Sequence, residues 1–274
     1  MAEYHEQDLS GSTFRQVRLQ GSTFDDIDFS EVTFRNAWMA DATFRAVMFP
    51  RVRMSGVEFD DVNISGEIGK LVINGVDVGP LVEDELDRRD PDRVKMRPTT
   101  AAGFREGWET IERLWVATLE RALSFRIDGL HESVDGEWSF IETLRHLAFA
   151  TESWLLRVIL GDPTPWDPLS LPWDEAPPTD GVPHDRDARP DLETALALRR
   201  DRASRVRDYL HVLTDDQLAA STKPVDGPGW PEPRSYPVRE CLLTILNEEW
   251  QHRLYAERDL DALATRADHT PTNL

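Results

Sequence analysis

Cysteine is almost absent from this chain: Cys241 is the only one in 274 residues. An intramolecular disulfide is therefore excluded, and a reducing compartment, the cytoplasm, is the expected setting. Lysine is nearly as scarce, occurring only at positions 70, 95 and 223, so arginine carries the basic charge, a bias that fits a GC-rich bacterial genome. Positive charge as a whole is outweighed. The formal net charge of −20 argues against wrapping nucleic acid or coating an anionic membrane, because both attractions depend on clustered Lys and Arg. No apolar run reaches membrane-spanning length, and no basic-then-apolar leader is seen. What these absences leave is an acidic cytoplasmic protein whose partner is a small molecule or another protein.

The first segment has a strict internal period of five. Leu9, Phe14, Leu19, Phe24, Phe29, Phe34, Met39, Phe44, Phe49, Met54, Phe59 and Ile64 recur without a slip. A small or β-branched residue stands two positions before each from Phe14 onward, as with Ser12, Val17, Ile27 and Val52. Neither a 3.6-residue helix nor a two-residue strand alternation gives this pattern, whereas a square coil with one five-residue side per repeat does. The segment resembles the pentapeptide-repeat family, which implies a right-handed quadrilateral β-helix over residues 1–66, with the large residues on its axis and about three coils. Such a solenoid exposes backbone at its ends, and it is a surface for a homodimer or a protein partner.

Residues 67–98 read as cap and linker. Leu71, Val72, Val76 and Val78 around Asn74-Gly75 predict a short hairpin, and an acidic amphipathic helix begins near Pro80. The run Glu83-Asp84-Glu85 with Asp87 reads as a solvated face.

From residue 99 the period becomes helical. Thr99 or Thr100 can cap a helix reaching about residue 125, and Ser139 with Glu142 forms a capping box for a second over 140–160. A third spans 191–212, and a fourth occupies the apolar run from Val238 to Leu263. The crossover 162–190 is proline-rich yet carries Trp166, Leu169, Leu171 and Trp173, so it is expected to pack over the domain as a lid or belt. A second irregular stretch, 223–237, contains Trp230. The expected architecture is an all-α four-helix bundle over 99–264, followed by a frayed tail at 265–274.

The last helix carries the chemistry. In Asn247-Glu248-Glu249-Trp250-Gln251-His252, the i, i+4 spacing aims Glu248 and His252 from one face, with Cys241, Ile245 and Tyr255 on the same stripe. A helix burying that stripe buries a charge, and a metal ion or an arginine is the usual partner. His146 sits among apolar positions of the second helix and would complete a three-ligand set. The competing reading makes Glu248 and Glu249 a solvated face and both histidines hydrogen-bonded core residues.

Trp138-Ser139-Phe140-Ile141-Glu142-Thr143-Leu144-Arg145-His146-Leu147 and the stretch from Asn247 to Leu260 resemble the second and fourth helices of the DinB-like superfamily. The resemblance implies a divalent metal on three residues. Members commonly use His-x-x-x-His on the last helix, whereas Glu248 stands first here, as in the mycothiol-dependent maleylpyruvate isomerases. The implied ligands are then His146, Glu248 and His252. By ligand type zinc comes first, with nickel, manganese or iron also admitted. The implied activity is that of a thiol S-transferase or isomerase using a low-molecular-weight thiol such as mycothiol on a small-molecule electrophile.

Three further expectations concern the surroundings. Trp166, Trp173 and Trp230 lie in the crossovers and are candidates for lining an access channel, while Trp138, Trp154 and Trp250 read as core. Tyr255 is placed to contact a substrate, and Arg258-Asp259 to form a structural ion pair. Cys241, with no His or Lys adjacent in sequence, reads as a buried inert hydrophobe.

Overall fold

The computed structural model describes residues 3–268 except 46, 67 and 175. The chain divides into two compact units, Met1–Ser65 and Gly66–Leu274.

In the first unit the five-residue period is written into the backbone. A positive φ recurs at Glu6, Gly11, Gln16, Gly21, Asp26, Glu31, Asn36, Asp41, Arg51 and Gly56, so the chain turns its corners at five-residue intervals. Gly and Asn are the residues that adopt this conformation at least expense, and Asp tolerates it better than most. Tight turns such as Ser12 N–H to Leu9 O and Ser22 N–H to Leu19 O, both 3.0 Å, close alternate corners. The expected axial stacking, however, is not found. Phe24, Phe34 and Phe44 are 55%, 60% and 61% exposed, and ring contacts run only to the next ring along: Phe24–Phe29 at 5.7 Å, Phe29–Phe34 at 6.1 Å and Phe44–Phe49 at 5.8 Å. Among the described residues of this unit there is no strand, and no backbone hydrogen bond joins positions one coil apart. The reason for the difference is that corner geometry is local, whereas burial of the rings needs pairing between residues about twenty apart.

The second unit opens with a hairpin, β1 (Val72–Ile73) and β2 (Val76–Asp77), in the register Val72 opposite Asp77. Asn74 and Gly75 both have φ > 0, as a two-residue type I′ connection requires. Helix α1 (Gly79–Arg89) and a 3₁₀ turn (Pro91–Met96) follow. The acidic run is ion-paired rather than simply solvated: Arg93 reaches Glu83 and Asp87 at 2.7 Å each, and Glu85 holds Arg88 and Arg89. The 3₁₀ turn is part of the helical core. Met96 is buried there, and Gly107 lies so close beneath the turn that a Cβ would stand 2.7 Å from Lys95 O.

The bundle consists of α2 (Ala101–Ala122), α4 (Phe140–Thr151), α5 (Leu192–Val212) and α7 (Val238–Asp268), with short helices α3 (Ile127–Leu130) and α6 (Asp215–Leu218) between them. The caps expected at Thr100 and Ser139 are present, and Asp191, expected as the first residue of its helix, is its cap. Thr100 accepts from Gly103 N–H, Asp191 from Thr194 N–H, and Ser139 with Glu142 makes a reciprocal capping box. α4 packs on α5 and α7, and α2 on α7, around Phe104, Trp108, Ile111, Leu144, Leu246 and Trp250. The frayed tail expected from residue 265 is helical through Asp268; residues 269–274 lie outside the described residues.

One feature was not expected: α4 continues as a π-helix over Glu152–Ile159, with Leu160 N–H bonding to Leu155 O. The wider turn brings Glu152, Ser153 and Arg157 into the interior. Two fully buried arginines on this continuous rod hold the crossovers by hydrogen bonds to backbone carbonyls. Arg145 donates to Leu169 O, Asp185 O and Ala188 O, and Arg157 to Pro163 O at 2.8 Å and Gly227 O at 2.9 Å. The proline-rich stretch therefore packs as a belt, with Ser170, Leu171 and Ala176 buried under it.

Candidate metal centre

His146 stands seven residues beyond the capped start of α4, on the face that meets α7. There it comes within 3.3 Å of Glu248, Nε2 to Oε2. One turn along α7, His252 Nδ1 is 3.2 Å from the same Oε2. The three side chains offer ligand atoms within 4.8 Å of one another, and they are the only such three-residue set among the described residues. The convergence chosen from spacing is present in three dimensions.

Hydrogen bonding fixes what each imidazole can do. His146 Nδ1 lies 2.9 Å from Leu171 O in the belt, and His252 Nδ1 lies 3.0 Å from Glu248 O. A carbonyl only accepts, so Nδ1 carries the hydrogen in both rings, and each neutral ring keeps its lone pair on Nε2. That leaves the His146 Nε2 lone pair facing a carboxylate oxygen at 3.3 Å. Two acceptors in that position need a proton or a cation between them. The donor set of two nitrogens and one carboxylate oxygen fits a divalent ion with a position to spare. Burial, helped by His146, pushes His252 down to about 4, so its imidazole is neutral at neutral pH. Burial alone would raise Glu248, yet a hydrogen bond from His146 and the positive charge that the two imidazoles carry in acid bring it below the ordinary carboxylate value.

Aromatic rings wall the set. Trp138 lies 4.5 Å from the His146 ring and 5.7 Å from His252, its indole N–H held by Asp174 Oδ1 at 2.8 Å. It belongs to the site and not to the core, because it precedes the helix cap and so escapes the helical stripe. Trp250 is core, and Trp154 packs partly buried against it. Tyr255 stands 5.8 Å from the His252 ring, under the Arg258 guanidinium, and Arg258 pairs with Asp259 at 2.7 Å. Trp173 and Trp230 meet at 4.8 Å, and Phe149 links them to His146. Trp166 is held differently, half-buried with the Arg157 guanidinium over its ring and its N–H on Ser153 Oγ. Cys241 is fully buried, and its thiol is pushed up to about 12, so it supplies no nucleophile.

A second buried carboxylate lies outside this set. Glu152 Oε1 accepts from Arg202 Nε at 2.8 Å and from Asp167 N–H at 3.1 Å, and the buried Ser170 hydroxyl lies beside the carboxylate. Burial pushes Glu152 up to about 7 against the pull of Arg202. The folded chain then binds a proton between about pH 4.5 and 7 that the unfolded glutamate has released, so this group's stabilisation falls as pH rises through that window. His252 acts with the opposite sign from about 4 to 6.5. The difference between wild type and Glu152→Gln isolates the first effect. The variant is expected to gain melting temperature on wild type between pH 5 and 7.5, and parallel pH profiles would refute the shift.

Among the described residues no helix is long and apolar enough to cross a membrane. A family model described as DinB superfamily matches residues 79–256, well over half of the chain, and one described as pentapeptide repeats (9 copies) matches residues 6–53 and 19–67. No curated protein and no solved structure matches. Members of the first family typically bind metal, in keeping with the His146, Glu248 and His252 set. The chain thus belongs to the DinB superfamily, its helical domain preceded by pentapeptide repeats.

Proposed function

We propose that the helical domain is a metal-dependent thiol S-transferase that joins a low-molecular-weight thiol such as mycothiol to a small electrophile. The observation that carries this reading is the meeting of three ligand atoms within 4.8 Å beside neutral imidazole His252. His146, Glu248 and His252 would hold the ion, zinc first by ligand type. When bound, a divalent cation favours thiolate over thiol at neutral pH. In the reaction the thiol sulfur forms a bond to the electrophilic carbon, the bond to the leaving group breaks, and the thiol proton departs with that group. Trp138 walls the set, and Tyr255, whose ring lies 5.8 Å from that of His252, would give its hydroxyl to a bound substrate. The thiol is external, since Cys241 is buried and protonated. The test is turnover of mycothiol, bacillithiol and cysteine with 1-chloro-2,4-dinitrobenzene by zinc-, nickel- and manganese-loaded full-length protein. Loss of thiol above the uncatalysed rate is expected for at least one pair, and none for any pair would overturn the activity.

We also propose that the N-terminal repeats close into a right-handed four-sided β-helix serving as an accessory or dimerisation module. The unbroken five-residue period and the recurring positive φ support it. A closed coil would cover rings such as Phe24, Phe34 and Phe44, which are otherwise more than half exposed. Phe34→Ala should then cost about 3–5 kcal/mol, as an interior aromatic truncation does, in the unfolding of this unit. An effect near zero would favour a second reading, in which the exposed ladder docks on a protein partner and the bundle serves as its scaffold.

A further inference from the structure

The aromatic chain that begins at the metal ligands does not stop at their wall. His146 contacts Phe149 at 6.2 Å between ring centroids, Phe149 contacts Trp173 at 6.4 Å, and Trp173 contacts Trp230 at 4.8 Å. Phe149, Trp173 and Trp230, with Pro172 and Ala176, line a small cavity of about 10 Å³, room for one water, with Thr179 and His184 as its polar groups. The cavity is built into the metal site through the backbone: Leu171, whose carbonyl fixes the His146 tautomer, directly precedes Pro172 and Trp173.

The tryptophans of this region divide into two kinds. Trp138 and Trp166 are pinned, each by an indole N–H on a side-chain oxygen. Trp173 and Trp230 are half-buried, and among the described residues neither ring nitrogen donates a hydrogen bond. They come from different crossovers and meet only through their faces and edges. Their backbones, by contrast, are anchored. Arg186 bonds to Trp173 O at 2.6 Å, and a Cβ at Gly229, next to Trp230, would stand 2.3 Å from Trp166. Anchored backbones with unpinned rings make a lid that opens by side-chain rotation.

We propose that Phe149, Trp173 and Trp230 form a subsite for a flat, uncharged, aromatic portion of the substrate, and that the Trp173–Trp230 contact is the lid such a ring displaces. This rests on the metal reading, since the polar end of the same molecule is held at His146, Glu248 and His252. An aromatic ring entering here exchanges one ring–ring contact for another and buries apolar area, and no Asp, Glu, Lys or Arg lines the cavity to reward an ionic substituent.

The test uses two metal-chelating probes, benzohydroxamate and acetohydroxamate, titrated calorimetrically into zinc-loaded full-length protein. They share the chelating head and differ in the ring. The aromatic probe is expected to bind about tenfold tighter, as burial of one ring implies. Trp230→Ala and Trp173→Ala should each bring that preference below about threefold while leaving acetohydroxamate affinity in place, and Trp230→Phe should retain it. Unchanged acetohydroxamate binding shows that the variants fold and keep the metal. Equal binding of both probes to wild type, or a preference that survives both alanine variants, overturns the subsite with the metal reading intact. Binding of neither probe removes the metal reading and this inference with it.

Discussion

His252→Ala is expected to abolish metal binding and thiol turnover while leaving a folded bundle. The set has three candidate ligands, and both imidazoles approach one atom of the third: Glu248 Oε2 lies 3.3 Å from His146 Nε2 and 3.2 Å from the hydrogen-bearing Nδ1 of His252. Removing His252 leaves one imidazole and one carboxylate, too few to hold a divalent ion against water and buffer. The loss of the ring should cost little stability, because His252 is neutral and bonded only within its own helix turn, to Glu248 O. The measurement is elemental analysis of protein purified without chelator, beside circular dichroism. About one ion per chain is expected in wild type, near zero in His252→Ala with unchanged helicity, and an intermediate loss in Glu248→Gln, which keeps one weaker oxygen donor. Metal retained at wild-type stoichiometry in His252→Ala would sink the ligand assignment.

How much of this was legible beforehand follows from the range over which each rule acts. Caps are local, so Thr100, Ser139 and Asp191 could be read directly as helix starts. The Glu248 and His252 pair is equally local, and His146 is found because a histidine amid Leu144, Leu147 and Ala148 is out of place on a core face. What escaped depends on tertiary context. Nothing in Glu152–Ile159 announces a π-helix, since the extra residue in the turn is held by Arg157 reaching loop carbonyls far along the chain. Trp138 was misjudged because its position ahead of the Ser139 cap carries no periodic signal, although it covers both histidines. In the N-terminal unit the corners are local and follow from the period, whereas burial of the rings depends on pairing between successive coils.

The same distinction decides between two adjacent carboxylates. Glu249 reads from sequence as half of a solvated pair with Glu248, yet it is 2% exposed and bound to Arg199, itself buried, whose guanidinium lies 4.4 Å over the Trp115 ring. Burial pushes the Glu249 carboxyl up, and Arg199 is the main force opposing it. Glu249→Ala strands a buried cation and opens a cavity beside it, so a loss of about 3–5 kcal/mol is expected, or roughly a 10 °C drop in melting temperature for a domain of this size. Replacing both partners, Arg199→Met with Glu249→Leu, removes the charges together and should recover most of that loss. The folded fraction of Glu249→Ala should still bind the ion, because Arg199 and Glu249 form a pair separate from the ligand set. Neighbours in sequence are thereby expected to fail in opposite ways: Glu248→Gln in metal content at nearly unchanged stability, Glu249→Ala in stability at nearly unchanged metal content. Denaturant titration and elemental analysis of the same four proteins decide it. A Glu249→Ala midpoint within about 1 kcal/mol of wild type would mean that the carboxylate is solvated after all and that the Arg199 pair does not tie α5 to α7.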